Sequence, residues 1–241
     1  GLAGTKLGGT MSGYKLLRSF GHKCTKLRPT LVQLKSAWSG VAALKGVRAN
    51  CHAAILRDGE VFSESTGELQ FTEYGLSGPA IFEISRDVCS TNGDWCCRLD
   101  FLPDRDEQWL QNQLLTRKKT RLKAEDLLTG ILHNRLGRVI TQSVGISGYV
   151  PISQLEEYEI AMVAKAVKHF EVALTEPMGM DSAQVTAGGI VTSEFDPETM
   201  ESRLVPGLYA CGEVLDIDGD CGGYNLQWAW SSGAMAGGLH G

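Results

Sequence analysis

The 241-residue sequence lacks several features that mark whole classes of protein. It has no apolar run of the roughly 18 residues that cross a membrane, and its first residues lack the charged and apolar regions of a secretion signal. Its seven cysteines follow no regular spacing and include no Cys-x-x-Cys pair, which argues against a disulfide framework and against zinc. We therefore expect a cytoplasmic protein with no membrane partner and no metal.

Positive charge is also scarce. Lys and Arg number 23 against 28 Asp and Glu, for a formal net charge of −5, so a nucleic-acid partner is not favoured. Five basic residues do fall within the seven positions 117–123. Such a run could bind an anion, but it is more typical of a solvated helix end. The net charge is compatible with a small or neutral ligand.

Glycine, in contrast, is abundant. The 29 glycines are about 12% of the chain, against roughly 7% in average proteins, and fifteen of them lie within residues 1–21 and 207–241. Glycine is needed where the backbone takes a positive φ or approaches a ligand closely. The two ends therefore suggest a ligand site built from both termini, with ordinary turns and helix caps as an equal alternative.

Short strands are predicted on both sides of a helical middle. Runs of β-type composition lie at 30–34, 51–56, 60–62, 97–101, 170–175 and 184–191. Asp58-Gly59 is a typical hairpin turn between the second and third runs. These runs predict an antiparallel sheet or a small barrel.

Helical spacing of apolar residues predicts five helical segments. The first is capped by Ser12 and ends before Gly21, and the last begins near Asn225. The other three occupy 104–169: one capped by Asp104, one interrupted near Gly137 and one opened by the capping box Ser153-x-x-Glu156. The period changes from two to 3.6 at about residue 104, which indicates a helical insertion between strands.

The strongest local signal lies near the end of the chain. Residues 207–213 read as a short buried strand that ends in Glu213, and a carboxylate at the carboxyl edge of a sheet can accept hydrogen bonds from sugar-like hydroxyls. The pair Gly222-Gly223 would let backbone N–H groups at a helix N-terminus approach a carbonyl or anion. Alone, Glu213 could be a helix cap and the glycine pair a turn. Together they predict a ligand site.

These residues belong to a longer pattern that resembles a known family. The pattern includes Gly188-Gly189-Ile190, Gly212-Glu213-Val214-Leu215-Asp216 and Gly222-Gly223-Tyr224-Asn225-Leu226-Gln227. It is similar to the C-terminal signature of the HI0933-like (aminoacetone oxidase) family of FAD-dependent flavoproteins. Residues 28–34 and 67–80 resemble further motifs of that family, so the resemblance covers nearly the whole chain.

The resemblance implies an α+β fold, in which an antiparallel β-barrel-like insert domain with a helical insertion is flanked by remnants of a Rossmann-like FAD-binding domain. The implied boundaries are 1–25 for the first remnant, 26–103 with 170–187 for the barrel, 104–169 for the helical insertion and 188–241 for the second remnant. The sequence has no G-x-G-x-x-G phosphate motif. We therefore expect this chain to be the C-terminal portion of such a flavoprotein, with the missing N-terminal FAD-binding half as its partner. A homodimer is left open.

The implied function is that of an FAD-dependent oxidoreductase which transfers a hydride to or from a small organic substrate, with NAD(P)H as an optional electron donor. The portion alone is expected to bind FAD weakly or not at all and to be inactive. One alternative is a non-enzymatic binding module with a vestigial flavin motif. Another, which the acidic charge disfavours, is a flavoenzyme that acts on RNA through the basic run.

The resemblance also implies cofactor contacts. Glu213 would bind the ribityl hydroxyls, with Gly212 and Asp216 nearby. The backbone at the start of the last helix, at Gly222, Gly223, Asn225 and Leu226, would lie against the isoalloxazine ring. Thr186, Gly188 and Gly189 would form another wall. A loop near the amino end, with Gly8, Gly9 and Thr10, would face the cofactor. No catalytic residue is predicted, because the five histidines are scattered and none has a carboxylate partner in sequence.

Overall fold

The structure, a computed structural model, describes residues 1–90 and 93–238. These residues form two compact units: unit 1 contains residues 1–33, 85–90 and 177–238, and unit 2 contains residues 34–84 and 93–176. The described chain combines seven α-helices with a closed, six-stranded antiparallel barrel. The predicted α+β fold with a barrel is therefore confirmed.

The barrel is the centre of unit 2. Its strands, in chain order, are β2 (Leu34–Ser36), β3 (Arg48–Arg57), β4 (Glu60–Phe71), β5 (Gly75–Ser77), β6 (Trp95–Asp100) and β7 (Phe170–Pro177). They close in the order β2-β5-β4-β3-β6-β7. Trp95, Cys97 and Leu99 of β6 are buried while the residues between them are partly exposed, which is the period-two pattern of a strand with one face in a core.

The predicted hairpin turn is confirmed. Asp58 and Gly59 both have positive φ, at 53° and 83°, and they join β3 to β4. Two positive φ values are what a type I′ turn requires, and its twist matches that of the flanking strands.

The helices of unit 2 are α2 (Gly40–Ala43), α4 (Glu107–Thr116), α5 (Asn134–Ser143) and α6 (Glu157–Lys168). The predicted caps of α4 and α6 were wrong by two and three residues. Asp106 caps α4, because its carboxylate accepts from the Trp109 N–H at 2.6 Å. Glu156 forms the capping box of α6 with Glu159. The predicted interruption at Gly137 is also wrong, since α5 runs through it.

Two helices were not predicted: the short α2 and the longer α3 (Pro79–Ser90). The residues of α3 through Ile84 belong to unit 2, and those from Ser85 onward belong to unit 1. Ile81, Ile84 and Val88 are buried at the spacing of a helical face, so the signal was present in the sequence.

Unit 1 has less regular structure. It contains β1 (Arg28–Thr30), which pairs antiparallel with β8 (Val185–Ala187), and the helices α1 (Ser12–Ser19) and α7 (Tyr224–Gly238). Helix α1 ends in a Schellman motif: Gly21 has φ 95°, its N–H donates to Arg18 O, and the His22 N–H donates to Leu17 O. Gly21 therefore ends α1 as predicted, whereas the cap is Met11 rather than Ser12.

Two strand predictions in unit 1 were wrong. The run 30–34 is divided between β1 and β2, because Leu31 takes a positive φ of 49°. Residues 207–213 form an isolated bridge, Glu201 to Tyr209, and a 3-10 turn, Gly212–Val214, in place of a buried strand. Gly212 has φ 70°, which breaks an extended path, and Cys211 is exposed.

The contacts divide the chain differently from the predicted boundaries. Because β1 pairs with β8, residues 28–33 and 177–187 group with the terminal segments in unit 1. Residues 104–169 group with the barrel strands in unit 2. The four-part division into 1–25, 26–103 with 170–187, 104–169 and 188–241 stays a prediction.

Among residues 1–90 and 93–238, no helix combines the length and the apolar character needed to cross a bilayer.

Candidate functional site

Unit 1 contains a cleft of about 340 Å³. Small-molecule sites typically enclose about 300–1,000 Å³, so the cleft is large enough for a ligand. Its walls come from the β1–β8 ribbon, the 3-10 turn and the start of α7, through Leu31, Gln184, Val185, Glu213, Asp220, Gly222, Gly223, Asn225, Leu226 and Ala229. The structure thus brings together five residues that the sequence placed in one site: Glu213, Gly222, Gly223, Asn225 and Leu226.

The start of α7 forms one wall. Gly222 and Gly223 have φ values of 120° and 99°, a region that side chains rarely adopt, so both positions need glycine. Among the described residues, no atom beyond the glycine and its two chain neighbours lies within 4 Å of where a Gly223 Cβ would stand, so the backbone there is open to a ligand. The first N–H groups of a helix have no partner within the helix and carry partial positive charge. This wall can therefore donate hydrogen bonds to an electron-rich group.

The Asn225 side chain shapes the loop before α7. Its Oδ1 accepts from the Gly219 N–H at 2.8 Å, and its Nδ2 donates to Gly219 O at 2.9 Å and Asp220 O at 3.3 Å. The side chain is thus used within the protein, and Asn225 can offer a ligand its backbone.

Glu213 faces the α7 wall from the 3-10 turn. One carboxylate oxygen accepts from the Thr186 N–H, and the other lies 3.7 Å from the Gly1 nitrogen. The Tyr14 hydroxyl donates to the Glu213 carbonyl oxygen at 3.2 Å. Burial, with a contribution from the Glu213 charge, raises the pKa of Tyr14 to about 12, so the phenol stays a neutral donor. The carboxylate is held in place while 29% of its side chain remains exposed.

Thr186 connects Glu213 to the amino-terminal loop. Its hydroxyl accepts from the Leu2 N–H at 3.0 Å and the Ala3 N–H at 2.8 Å. The Thr10 N–H donates to Gly1 O at 3.0 Å. Gly9 lines a second cavity of about 390 Å³ in unit 1. Thr10, Gly8 and Gly9 do not line the first cleft, and their cofactor role stays a prediction.

Gly188, Gly189 and Asp216 lie outside the cleft lining as well. A Cβ at Gly188 would overlap the Lys26 carbonyl oxygen, and one at Gly189 would overlap the Leu215 backbone. The Asp216 N–H donates to Ile190 O at 2.9 Å. Close backbone packing therefore explains both glycines, and the predicted cofactor contacts of all three residues stay predictions.

Gly212 fastens the 3-10 turn to α7. Its N–H donates to Ser232 Oγ at 2.9 Å, and its carbonyl oxygen accepts from Trp228 Nε1 at 3.2 Å. Gly212 thus supports Glu213, the next residue.

Sequence reasoning missed half of the cleft lining. Leu31 is buried and has a positive φ of 49°, a conformation that no sequence pattern reveals for leucine. Asp220 lies 3.8 Å from Arg86, which also pairs with Asp218 at 3.0 Å. Burial raises the pKa of Asp218, and Arg86 opposes that shift. The alternating carboxylates at 216, 218 and 220 are the sequence feature from which Asp220 could have been predicted.

Comparison with known proteins identifies the class. The HI0933-like protein Rossmann domain matches residues 1–239, so the chain belongs to the HI0933-like family, and the resemblance seen in the sequence is confirmed.

Three curated relatives are similar over nearly the whole chain. A 3-dehydro-bile acid delta(4,6)-reductase from Clostridium scindens is 38% identical over 98% of this chain and 59% of its own length. Ribosomal RNA dihydrouridine synthases from Escherichia coli and Haemophilus influenzae are 36% and 32% identical, each over 96% of this chain and 56% of their own length. The chain thus spans less than two thirds of the length of these relatives.

Proposed function

We propose that this chain forms the ring and ribityl side of an FAD site in a flavin-dependent oxidoreductase that acts on a small organic substrate. The observation that carries the proposal is the unit 1 cleft, in which the Glu213 carboxylate and the N-terminus of α7 line one cavity. Family membership supports the same conclusion.

The residues present fit one end of FAD better than the other. The cleft offers a carboxylate for ribityl hydroxyls and backbone donors for an electron-rich ring edge. The sequence has no G-x-G-x-x-G motif, so it offers no pyrophosphate loop of that type. The proposal is therefore limited to the ring and ribityl end, with the adenosine end held by a separate FAD-binding half.

A bound flavin would supply the hydride-transfer chemistry. The chain's own residues would bind and orient it. The Thr186 N–H fixes the Glu213 carboxylate, so little rotational freedom is lost when that carboxylate accepts a hydrogen bond from a ligand. The backbone donors of α7 favour negative charge on the ring edge that faces them.

The activities of the relatives bear on the substrate. The bile-acid reductase supports reduction of a small organic molecule, for which we propose NAD(P)H as electron donor. The two RNA synthases point to RNA instead. RNA is disfavoured because the chain carries a net charge of −5 and because two of the five cations of the basic run, Arg117 and Lys118, make contacts within unit 2.

The internal contacts of that run are specific. Arg117 donates to Leu127 O at 2.9 Å and Thr129 O at 2.8 Å, and Lys118 donates to Leu155 O at 2.6 Å. These two cations join chain segments of unit 2, so fewer remain for a phosphate backbone.

A comparison of riboflavin with lumiflavin tests the proposal, because lumiflavin has the same isoalloxazine ring with a methyl group in place of the ribityl chain. Because the chain holds only one end of the cofactor, we expect weak riboflavin binding, seen as quenched fluorescence at high protein and ligand concentrations. Glu213→Gln should weaken riboflavin binding by roughly tenfold, because a charged acceptor becomes a neutral one, and should leave lumiflavin binding unchanged. Glu198→Gln, at an exposed carboxylate of unit 1, is the matched control.

Absence of riboflavin binding by the wild-type chain would reject the proposal and favour the non-enzymatic module. Equal weakening of both ligands by Glu213→Gln would show that Glu213 does not contact the ribityl chain.

A further inference from the structure

A buried hydrogen-bonded trio lies in unit 1 outside the cleft. The His22 ring has no exposed side-chain surface, and it stacks on Phe195 with centroids 4.5 Å apart. Its Nδ1 lies 2.9 Å from Glu194 Oε2, and its Nε2 lies 2.9 Å from Ser202 Oγ. The partners are 172 and 180 residues away in sequence, which is why His22 looked unpaired there.

The hydrogen bonds of Ser202 fix which nitrogen of the His22 ring carries the proton. Ser202 Oγ accepts from the Leu204 N–H at 3.1 Å and the Val205 N–H at 3.0 Å. A hydroxyl has two acceptor lone pairs and one proton, so both lone pairs are used and the proton must point to His22. The Nε2 atom therefore accepts and carries no proton.

The other ring nitrogen then carries the proton. His22 Nδ1 donates to Glu194, whose same oxygen also accepts from the Lys23 N–H at 3.0 Å. The order hydroxyl, imidazole, carboxylate matches that of a serine-hydrolase triad. Ser202 is only 6% exposed and both its lone pairs are used, so it cannot act as a nucleophile.

The trio stands at the start of a hydrogen-bonded path. Next to it, the Val191 N–H donates to Lys23 O at 3.0 Å and the Thr25 N–H donates to Gly189 O at 2.8 Å. Thr25 Oγ1 accepts from the Gly189 N–H at 2.9 Å. Residues 22–25 are thus fastened along residues 189–191.

The path continues to the cleft. The Ile190 N–H donates to Val214 O at 2.8 Å, and the Asp216 N–H donates to Ile190 O at 2.9 Å. Val214 directly follows Glu213 in the 3-10 turn. Three neighbouring segments therefore connect His22 to the carboxylate that lines the cleft.

We propose that His22 is a positioning residue. Held as the Nδ1–H tautomer between Ser202 and Glu194, it fixes residues 22–25 on residues 189–191 and so keeps Glu213 oriented toward the cleft. The effect on flavin binding rests on the proposed function, whereas the effect on the backbone pairing does not.

Nitrogen NMR of the histidine-labelled chain tests the first step. The expected spectrum at neutral pH shows a protonated Nδ1 and an unprotonated Nε2 for His22. A protonated Nε2, alone or in an imidazolium, would overturn the proposal, because Ser202 would then face three donors.

Amide hydrogen exchange with variants tests the second step. His22→Phe keeps the ring stacked on Phe195 and removes both ring hydrogen bonds. We expect exchange at Thr25, Gly189 and Asp216 to become about five- to tenfold faster, the loss of one or two buried hydrogen bonds, and riboflavin affinity to fall by a similar factor. His22→Asn places an amide donor near Nδ1 and should restore most of the protection.

The matched control is His52→Phe. His52 lies between Thr66 at 3.0 Å and Glu64 at 3.4 Å, so it forms a comparable trio on the exposed surface of unit 2. This control should change neither exchange in unit 1 nor riboflavin affinity. Ser202→Ala, which removes a single hydroxyl, gives the same local readout if His22→Phe fails to fold.

The outcomes separate the two proposals. Unchanged exchange at Thr25, Gly189 and Asp216 in both His22→Phe and Ser202→Ala overturns the positioning role. A wild-type chain that does not bind riboflavin rejects the proposed function, while exchange and the tautomer still decide the role of His22.

Discussion

The two units build their interiors in opposite ways. Unit 2 closes six strands, the longest of 10 and 12 residues, around fully buried side chains such as Ile55, Leu69 and Leu99. Unit 1 has two paired strands of three residues each, and isolated bridges hold much of the rest. Regular pairing gives the barrel a continuous core.

The cleft lies in the less regular unit. Eight of the thirteen positive-φ glycines in the described residues fall in unit 1. Its backbone is therefore set by glycine positions and individual hydrogen bonds, which allow close approach of a ligand but resist local opening less than a strand ladder does. Fold stability should therefore depend on unit 2, and ligand binding on single contacts in unit 1.

The largest expected effect comes from the barrel core. Leu99 is fully buried, so Leu99→Ala should lower the free energy of unfolding by about 2–5 kcal/mol through lost contacts and a residual cavity. Urea unfolding measures this. Leu122→Ala, at a leucine that is 42% exposed, should stay within about 0.5 kcal/mol of wild type. Equal costs at the two positions would mean that the barrel is not the main source of stability.

Two glycines of unit 1 separate backbone strain from crowding. Gly188 and Gly223 have similar positive φ values, 84° and 99°, but only Gly188 is crowded by backbone. Gly223→Ala should cost about 1–2 kcal/mol for conformation alone, and Gly188→Ala about 1–3 kcal/mol more for overpacking. Thermal or urea unfolding of both variants measures the difference. Equal costs would contradict the assigned packing.

Alkaline pH should affect both units. The Tyr14 phenol of unit 1 has a folded-state pKa raised from 10.0 to about 12, and burial raises the pKa of the Cys51 thiol of unit 2 from 9.0 to about 12. Because both groups hold their protons more tightly in the folded chain, their contribution to stability is complete below the unfolded pKa and is lost as the pH rises towards 12.

Two variants show which of the two groups causes each loss of stability. Tyr14→Phe should flatten the decrease in stability between pH 10 and 12, and Cys51→Ala should flatten it from pH 9 upward. Urea unfolding across this range, with phenolate absorbance as an independent readout for Tyr14, measures both. A phenol that ionises at its ordinary pKa would show that Tyr14 is not buried as described.

The smallest effect is expected on the basic run. Lys119 and Arg121 are exposed, so replacing both with Ala should change stability by less than about 0.5 kcal/mol and leave RNA retention on filters unchanged. Arg117→Ala should cost about 1 kcal/mol, because it removes the donors to two carbonyls. If the double variant lost RNA retention while Arg117→Ala kept it, the result would favour an RNA substrate.

Local sequence signals predicted the elements that depend on neighbouring residues, in unit 2 and in the helices α1 and α7 of unit 1. The Asp58-Gly59 turn and the alternation in β6 depend on neighbouring residues, so the sequence reveals them. The cap of α6 was misplaced because Ser153 and Glu156 fit the capping pattern as well as the observed pair of glutamates does.

The cleft is predictable only in part. The glycine pair and Glu213 carry a recognisable pattern, and they line the cavity. Leu31 and Gln184 join it through the pairing of β1 with β8, about 150 residues apart in sequence, which no local pattern encodes. The His22 trio was hidden for the same reason.

Amide chemical-shift mapping with riboflavin tests the central claim most directly. The amides shifted by riboflavin should cluster at residues 31, 184–185, 213 and 220–229, where the cleft lies. The amides of the barrel strands should keep their shifts. A response confined to unit 2, or no response at saturating riboflavin, would contradict the assignment of this cleft as a flavin site.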